Sequence, residues 1–395
     1  MSILSLIADL PNRLARVTSG GRMIKEVDGL RFLAIFPVVI QHLSERYLRN
    51  SPVDFIKGSE YEFVTFIASR GFIGVYIFFT ISGFILGLPF AEQYLKGGRE
   101  VSLKKYFWRR LTRLEPPYIL VITGVTIFLI VFGYYKTEYI LPHFFASIFY
   151  VHSIIYQEWT FINPPVWTLE IEVQFYILAP FLAIIFFKTK SLLLRRIILV
   201  GGLVIIILLQ HYFGILHGPT WLTILGHIQY FLLGFILADI YVNEWRNGIQ
   251  KKGIYNYISI LAFLVLIFSW SWDYLLLNRI IFTSFLVVLF YSVFRATWIN
   301  KLITLPWITA IGGMCYTIYL IHLPIMEFLI KYTSAVSLTN SYTINFIVQF
   351  LLVAPVLMIF SILFFLAVEK PCMHKDWPEQ LVNYLRSLKK SDKNH

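Results

Sequence analysis

Charge is scarce in this chain of 395 residues: Lys, Arg, Asp and Glu make up 14% of it, against roughly 25% in an ordinary soluble domain. Cysteine is nearly absent. Its two copies, Cys315 in an apolar run and Cys372 near the C-terminal end, have the spacing of neither a disulfide framework nor a zinc site. There is no HExxH, no phosphate-cradling GxxxxGK[ST] loop and no GxGxxG leading into a helix, so zincin, P-loop and dinucleotide-binding chemistry lack support and no metal is expected. Internal repeats and transporter-like inverted repeats are not visible. The stretches outside the apolar runs, around 45–65, 91–116 and 370–395, are too short for a separate soluble domain.

What fills the chain instead is apolar surface. Hydrophobic residues account for 58%, in runs long enough for the about 20 helical residues that cross a bilayer. With no strand-like alternation, helices must satisfy the backbone in lipid. The sequence therefore predicts an all-α, polytopic transmembrane bundle of about ten spans, near 29–44, 66–90, 117–135, 167–187, 197–213, 221–243, 254–270, 274–294, 307–331 and 342–368. Met1 to Arg16 mixes apolar and charged residues without a small-residue cleavage site, which suits an interfacial amphipathic helix rather than a signal peptide. Numbering the loops alternately puts 26 of the 34 Lys and Arg on one side and seven on the other, with Arg31 inside a span. That asymmetry predicts an even number of spans and both termini in the cytoplasm. It also accounts for the net charge of +12 without a nucleic-acid partner.

Ionisable groups within spans cost about 2.5–3.5 kcal/mol each on insertion scales, so each one is a candidate for function. Arg31 and His42 are eleven residues apart in the first span, which puts them on one helix face about 16 Å apart along the axis. Arg31 suits a snorkelling interface arginine or an anion ligand, and His42 a polar helix end or a base. In the second span Gly71, Gly74, Ser82 and Gly83 leave room for close helix packing or for a bound chain. Arg110 and Arg113 lie at i, i+3 before Pro116, a pair of guanidinium forks fit for a polyphosphate ligand or for anionic headgroups. Glu170 and Glu172 open the fourth span on opposite faces. On the expected topology Glu172 stands at the depth of His42, where a carboxylate can orient an imidazole. Tyr319 and His322 share a face of the ninth span, lining an acceptor site or packing beside Pro324. His143, His152, His211, His217 and His227 fall at span ends or in loops, where an interfacial place is expected.

Taken in order, these segments resemble the acyltransferase-3 family of multi-span membrane O-acyltransferases, from about Asp28 to Pro371. The family's Arg-x10-His looks like Arg31 and His42. Its Gly-Val-x-x-Phe-Phe-x-x-Ser-Gly-Phe is matched by Gly74, Val75, Phe78, Phe79, Ser82, Gly83 and Phe84. Arg110, Arg113 and Pro116 resemble its Arg-x-x-Arg with a following proline. Trp167, Thr168, Leu169, Glu172, Gln174, Phe175 and Tyr176 resemble its Trp-Ser-Leu segment. Tyr316, Tyr319, Leu320, His322, Glu369, Lys370 and Pro371 resemble its closing motifs. Thr168, Glu170, Val173 and Tyr76 depart from the usual pattern, which bears on acceptor specificity more than on chemistry.

The resemblance implies residues 1–28 as an N-terminal amphipathic cytoplasmic segment, 29–371 as the membrane acyltransferase domain and 372–395 as a basic cytoplasmic tail. It implies a multi-pass protein of the plasma (inner) membrane with no tightly bound cofactor. The donor would be acetyl-CoA or another acyl-CoA, held by Arg31, Arg110, Arg113 and Ser82. The acceptor would be a hydroxyl of an envelope saccharide or lipid-linked glycan, met by Trp167, Tyr176, Tyr319 and His322. His42 would be the general base, oriented by Glu172; an acyl-histidine intermediate is the variant. Acylation of a small molecule such as a macrolide, and a transporter or flippase for an envelope precursor, are the competing readings.

Overall fold

The computed structural model describes residues 9–17, 23–55 and 57–380. The first half of the amphipathic segment expected over Met1–Arg16 and the end of the basic tail lie outside the described residues. Among the described residues every regular element is helical. Ten helices form the body: α1 (Lys25–Asn50), α2 (Ile73–Lys96), α3 (Leu103–Val131), α4 (Trp167–Phe187), α5 (Leu192–Tyr212), α6 (Ile224–Ile240), α7 (Ile254–Ser269), α8 (Leu276–Arg295), α9 (Cys315–Thr333) and α10 (Tyr342–Phe364). Eight of them, all but α7 and α9, are long and apolar enough to cross a membrane.

The other two differ from the sequence expectation for identifiable reasons. The ninth span is broken: Pro306–Gly313 and α9 are bent by 69° about Met314. Gly312 lies against the Asp28 carbonyl of α1, where an added Cβ would stand 1.8 Å from the oxygen, so only glycine permits this crossing. The stretch read as 254–270 is a helix of 16 residues, short of the length that spans a bilayer at about 1.5 Å per residue. A third difference concerns α3, which begins at Leu103 rather than at Pro117. Ser102 caps it by accepting from the Lys105 N–H, and Pro116 and Pro117 lie within the helix. Arg110 and Arg113 consequently ride on a spanning helix, not on a separate surface segment.

Close glycine contacts set the centre of the bundle. Gly83 of α2 meets the Phe231 carbonyl of α6, and Gly234 of α6 meets the Thr80 carbonyl and Phe84 amide of α2; an added Cβ would lie within 2.4 Å of each carbonyl. Gly71 and Gly74 do the same against the carbonyls of Pro37 and Ala34 in α1. Small residues allow such approach where lipid supplies no hydrophobic drive between helices. As a result α2 and α6 are largely buried, whereas α5 and α10 present apolar rows outward. A buried ion pair, Arg195 to Asp239 at 2.5 Å, ties α5 to α6, and Arg196 reaches the same carboxylate at 3.0 Å.

Candidate active site

Arg31, Arg110 and Arg113 converge on one cavity of about 870 Å³ at the lysine- and arginine-rich end of the bundle, walled by α1–α4 and the broken helix. Asp28, one turn before Arg31, explains how an arginine is held there: its carboxylate takes Arg31 Nη1 at 2.6 Å and Arg16 Nη1 at 3.2 Å. The i, i+3 spacing of Asp28 and Arg31 was a readable signal that the sequence analysis did not use. Arg110 lies flat over the Tyr106 ring, 3.5 Å from its centroid, and donates to the Tyr106 carbonyl at 2.7 Å. Arg99, Arg109 and Arg246 also line the cavity, and sequence reasoning singled out none of them. Among the described residues, Arg99, Arg109, Arg110, Arg113 and Arg246 form no ion pair, since the resolved pairs engage other cations. Asp28, Glu92, Glu100, Glu172 and Glu369 line the cavity too, but its basic side chains outnumber them, so its field favours an anion.

Glu172 enters the same cavity, and its carboxylate accepts the Ser82 hydroxyl. The structure does not bring it to His42, as the sequence had suggested. Helices α1 and α2 run antiparallel with Gly71 beside Pro37 and Gly74 beside Ala34. Ser82 is eight residues beyond Gly74, about 12 Å along the axis towards the Arg31 end. The reason is that α4 does not start at the bundle surface. Residues ahead of it fold inward, and buried Asn163 donates to the Leu320 carbonyl at 2.9 Å. That carbonyl is free because Pro324, four residues on, has no N–H to offer it. Glu170 points the other way, as its spacing required, and accepts the Ser153 N–H at 2.9 Å.

His42 finds a different partner. Its Nδ1 is 2.7 Å from Nε2 of His322, and the rings are nearly parallel, 13° apart with centroids at 5.0 Å. Neither ring lines the cavity, whose lining in this direction reaches Thr168 and Tyr319. The Tyr319 hydroxyl is hydrogen-bonded to the Pro165 carbonyl and lies 2.5 Å from Thr168 Oγ1, and Tyr319 stands one helical turn from His322. Tyr176 does face the cavity. Trp167 does not: it is buried between Phe72 and Trp221, ring centroids 5.7 and 4.7 Å away, and acts in packing. His143, His152 and His227, expected at interfaces, are all buried.

The cavity gathers Arg31, Arg110, Arg113, Ser82, Tyr176 and Tyr319, while His42, His322 and Trp167 stand outside its lining. Comparison with known proteins identifies the family. The family model described as "Acyltransferase domain" matches residues 24–366. This chain belongs to the acyltransferase-3 family. Its several apolar spanning helices and this family make it a multi-pass membrane protein. The chain is 28% identical over 342 residues to O-acetyltransferase OatA of Staphylococcus aureus (strain NCTC 8325 / PS 47), covering 79% of this chain and 52% of that one. It is 27% identical over 341 residues, with the same coverages, to a protein of S. aureus (strain COL) named "Putative O-acetyltransferase SACOL0978". The chain thus spans about half the length of the curated relatives it matches. No solved structure matches it.

Proposed function

We propose that this acyltransferase-3 chain moves an acetyl group from acetyl-CoA to a hydroxyl of a cell-envelope saccharide, with His42 as general base. The observation that carries the reading is the set of unpaired guanidinium groups in a cavity aligned with Arg31 and, about 16 Å further along the same helix, His42. Diphosphate and ribose-phosphate groups suit Arg110, Arg113 and their neighbours through charge-assisted hydrogen bonds. The pantetheine arm is long and thin enough to follow the cavity past Ser82 and Tyr176 to Tyr319. For the thioester to arrive at His42, the Tyr319 hydroxyl must leave Thr168 and Pro165. The basic end of the bundle is then the cytoplasmic one, both termini lie there, and the acceptor meets His42 from the opposite half of the plasma membrane.

The reaction balances on one base. His42 takes the proton of the acceptor hydroxyl as its oxygen attacks the thioester carbonyl, forming the C–O bond. The C–S bond breaks, and the thiolate leaves with the proton that His42 returns. Glu172 belongs to the donor side of this scheme, beside Ser82, rather than to the orientation of His42.

The test is transfer of label from radiolabelled acetyl-CoA to purified cell-wall glycan by the full chain in nanodiscs. Saturable transfer by the wild type, lost in His42→Ala with an unchanged melting temperature, is the expected result. Transfer that persists in His42→Ala removes the histidine from the chemistry; a folded wild type that moves no label removes the activity.

A further inference from the structure

The hydrogen bonds around His322 determine which nitrogen of His42 can act. Nδ1 of His322 lies 2.8 and 3.0 Å from the carbonyls of Tyr319 and Ile318. A carbonyl oxygen accepts and cannot donate, so the proton of this ring is on Nδ1. The ring is fully buried, and no carboxylate is among its resolved hydrogen-bond partners. A cation there would go uncompensated, so the neutral ring is the form that can be buried. Its Nε2 therefore carries a lone pair and must receive a proton from the nitrogen 2.7 Å away, Nδ1 of His42. That fixes the His42 proton on Nδ1 and leaves the lone pair on Nε2, the far nitrogen of the ring.

We propose that His322 is a positioning residue: it holds His42 as the Nδ1–H tautomer, so that Nε2 faces the acceptor hydroxyl as the base. The inference rests on the reading of His42 as general base, and it replaces Glu172 in the orienting role. It also withdraws His322 from direct contact with the acceptor. When His42 Nε2 takes the hydroxyl proton, the Nδ1–H bond to His322 stays in place and stabilises the imidazolium by accepting from it. The acyl transfer itself needs no further proton acceptor, because the same proton leaves with the thiolate.

Two substitutions separate positioning from packing. His322→Gln keeps an acceptor oxygen within reach of His42, and His322→Phe keeps a planar ring without one. With acetyl-CoA and purified cell-wall glycan as probes, His322→Gln should retain kcat within about tenfold, while His322→Phe should lose about 10²–10³-fold at a donor KM within about twofold of wild type. Equal losses in both variants, or a His322→Phe enzyme within tenfold of wild type, would overturn the proposal. A second measurement does not depend on either variant folding. Solid-state NMR of the wild type labelled with ¹⁵N-histidine, assigned by difference from His42→Ala, should show a protonated Nδ1 and a bare Nε2 at His42. The opposite tautomer overturns the proposal. Failure of the underlying reading has its own signature, since only then does His42→Ala keep transferring label.

Discussion

The His42–His322 and His143–His152 contacts are alike in themselves, 2.7 and 2.9 Å between ring nitrogens with centroids 5.0 and 5.1 Å apart. Their surroundings differ. The first joins two long helices, 280 residues apart in sequence, one turn beyond Tyr319, which lines the arginine-rich cavity; its member His42 is only partly buried. The second joins a helix over Thr137–Ile148 to a single turn over His152–Tyr156. It is sandwiched by Tyr156, whose ring stands 4.0 Å from that of His143, and by Phe161, and both rings are buried. A histidine pair is a piece of polar packing until access and neighbouring charge give it a substrate. The partial exposure of His42, and a cavity that reaches Tyr319 one turn from His322, favour the first pair for the proposed chemistry.

The sharpest way to break the comparison is to remove one ring from each pair. In labelled acetyl transfer, His42→Ala should lose about 10²–10⁴ in kcat, the span of general-base contributions. His143→Ala should stay within a few-fold once its stability loss is allowed for. Comparable losses at both positions would mean that the second pair also serves the reaction.

Sequence and structure agree where the physics is one-dimensional. The bunching of Lys and Arg marked the end of the bundle where the cavity is found. Whatever depends on a third helix was hidden. His322 is remote in sequence from His42, and spacing along α9 showed only that it shares a face with Tyr319. Glu172 was misplaced in depth because a simple span is assumed to start at the membrane surface, while Asn163 draws the entry of α4 inward onto Leu320. The break at Met314 was equally hidden: Gly312 was visible, but the Asp28 carbonyl that it accommodates was not.

An intermediate effect is expected at the other end of the path. Each charge-assisted hydrogen bond to a donor phosphate contributes about 1.5–3 kcal/mol, so Arg110→Ala or Arg113→Ala should raise the acetyl-CoA KM by about ten- to a hundredfold. The kcat at saturating donor should change little. Lysine at position 110 should rescue only in part, because an ammonium lacks the planar fork and the stacking over Tyr106. Steady-state kinetics with varied acetyl-CoA reads both quantities. If instead kcat falls and KM holds, the arginines act on the chemistry, and the division between a binding end and a reacting end is wrong.

The smallest effect concerns the second pair alone and is set by protons. Burial holds His143 below the usual histidine range, against the opposing pull of Glu158. Burial and the neighbouring His143 push His152 down to about 4. An unfolded histidine takes its proton near about 6.5, so between roughly that pH and 4 the unfolded segment binds protons that the folded one refuses. The stabilisation is fully present above pH 6.5 and is lost as the pH falls towards 4. Glu170 accepts the Ser153 N–H beside the pair at 2.9 Å. Amide hydrogen exchange over 137–156, corrected for intrinsic rate, should therefore quicken between pH 7 and 4.5 while α6 stays protected, and His152→Phe should flatten the response. A pH-independent exchange rate there would show that the pair opens to water, which would make it more like the first pair than its packing implies.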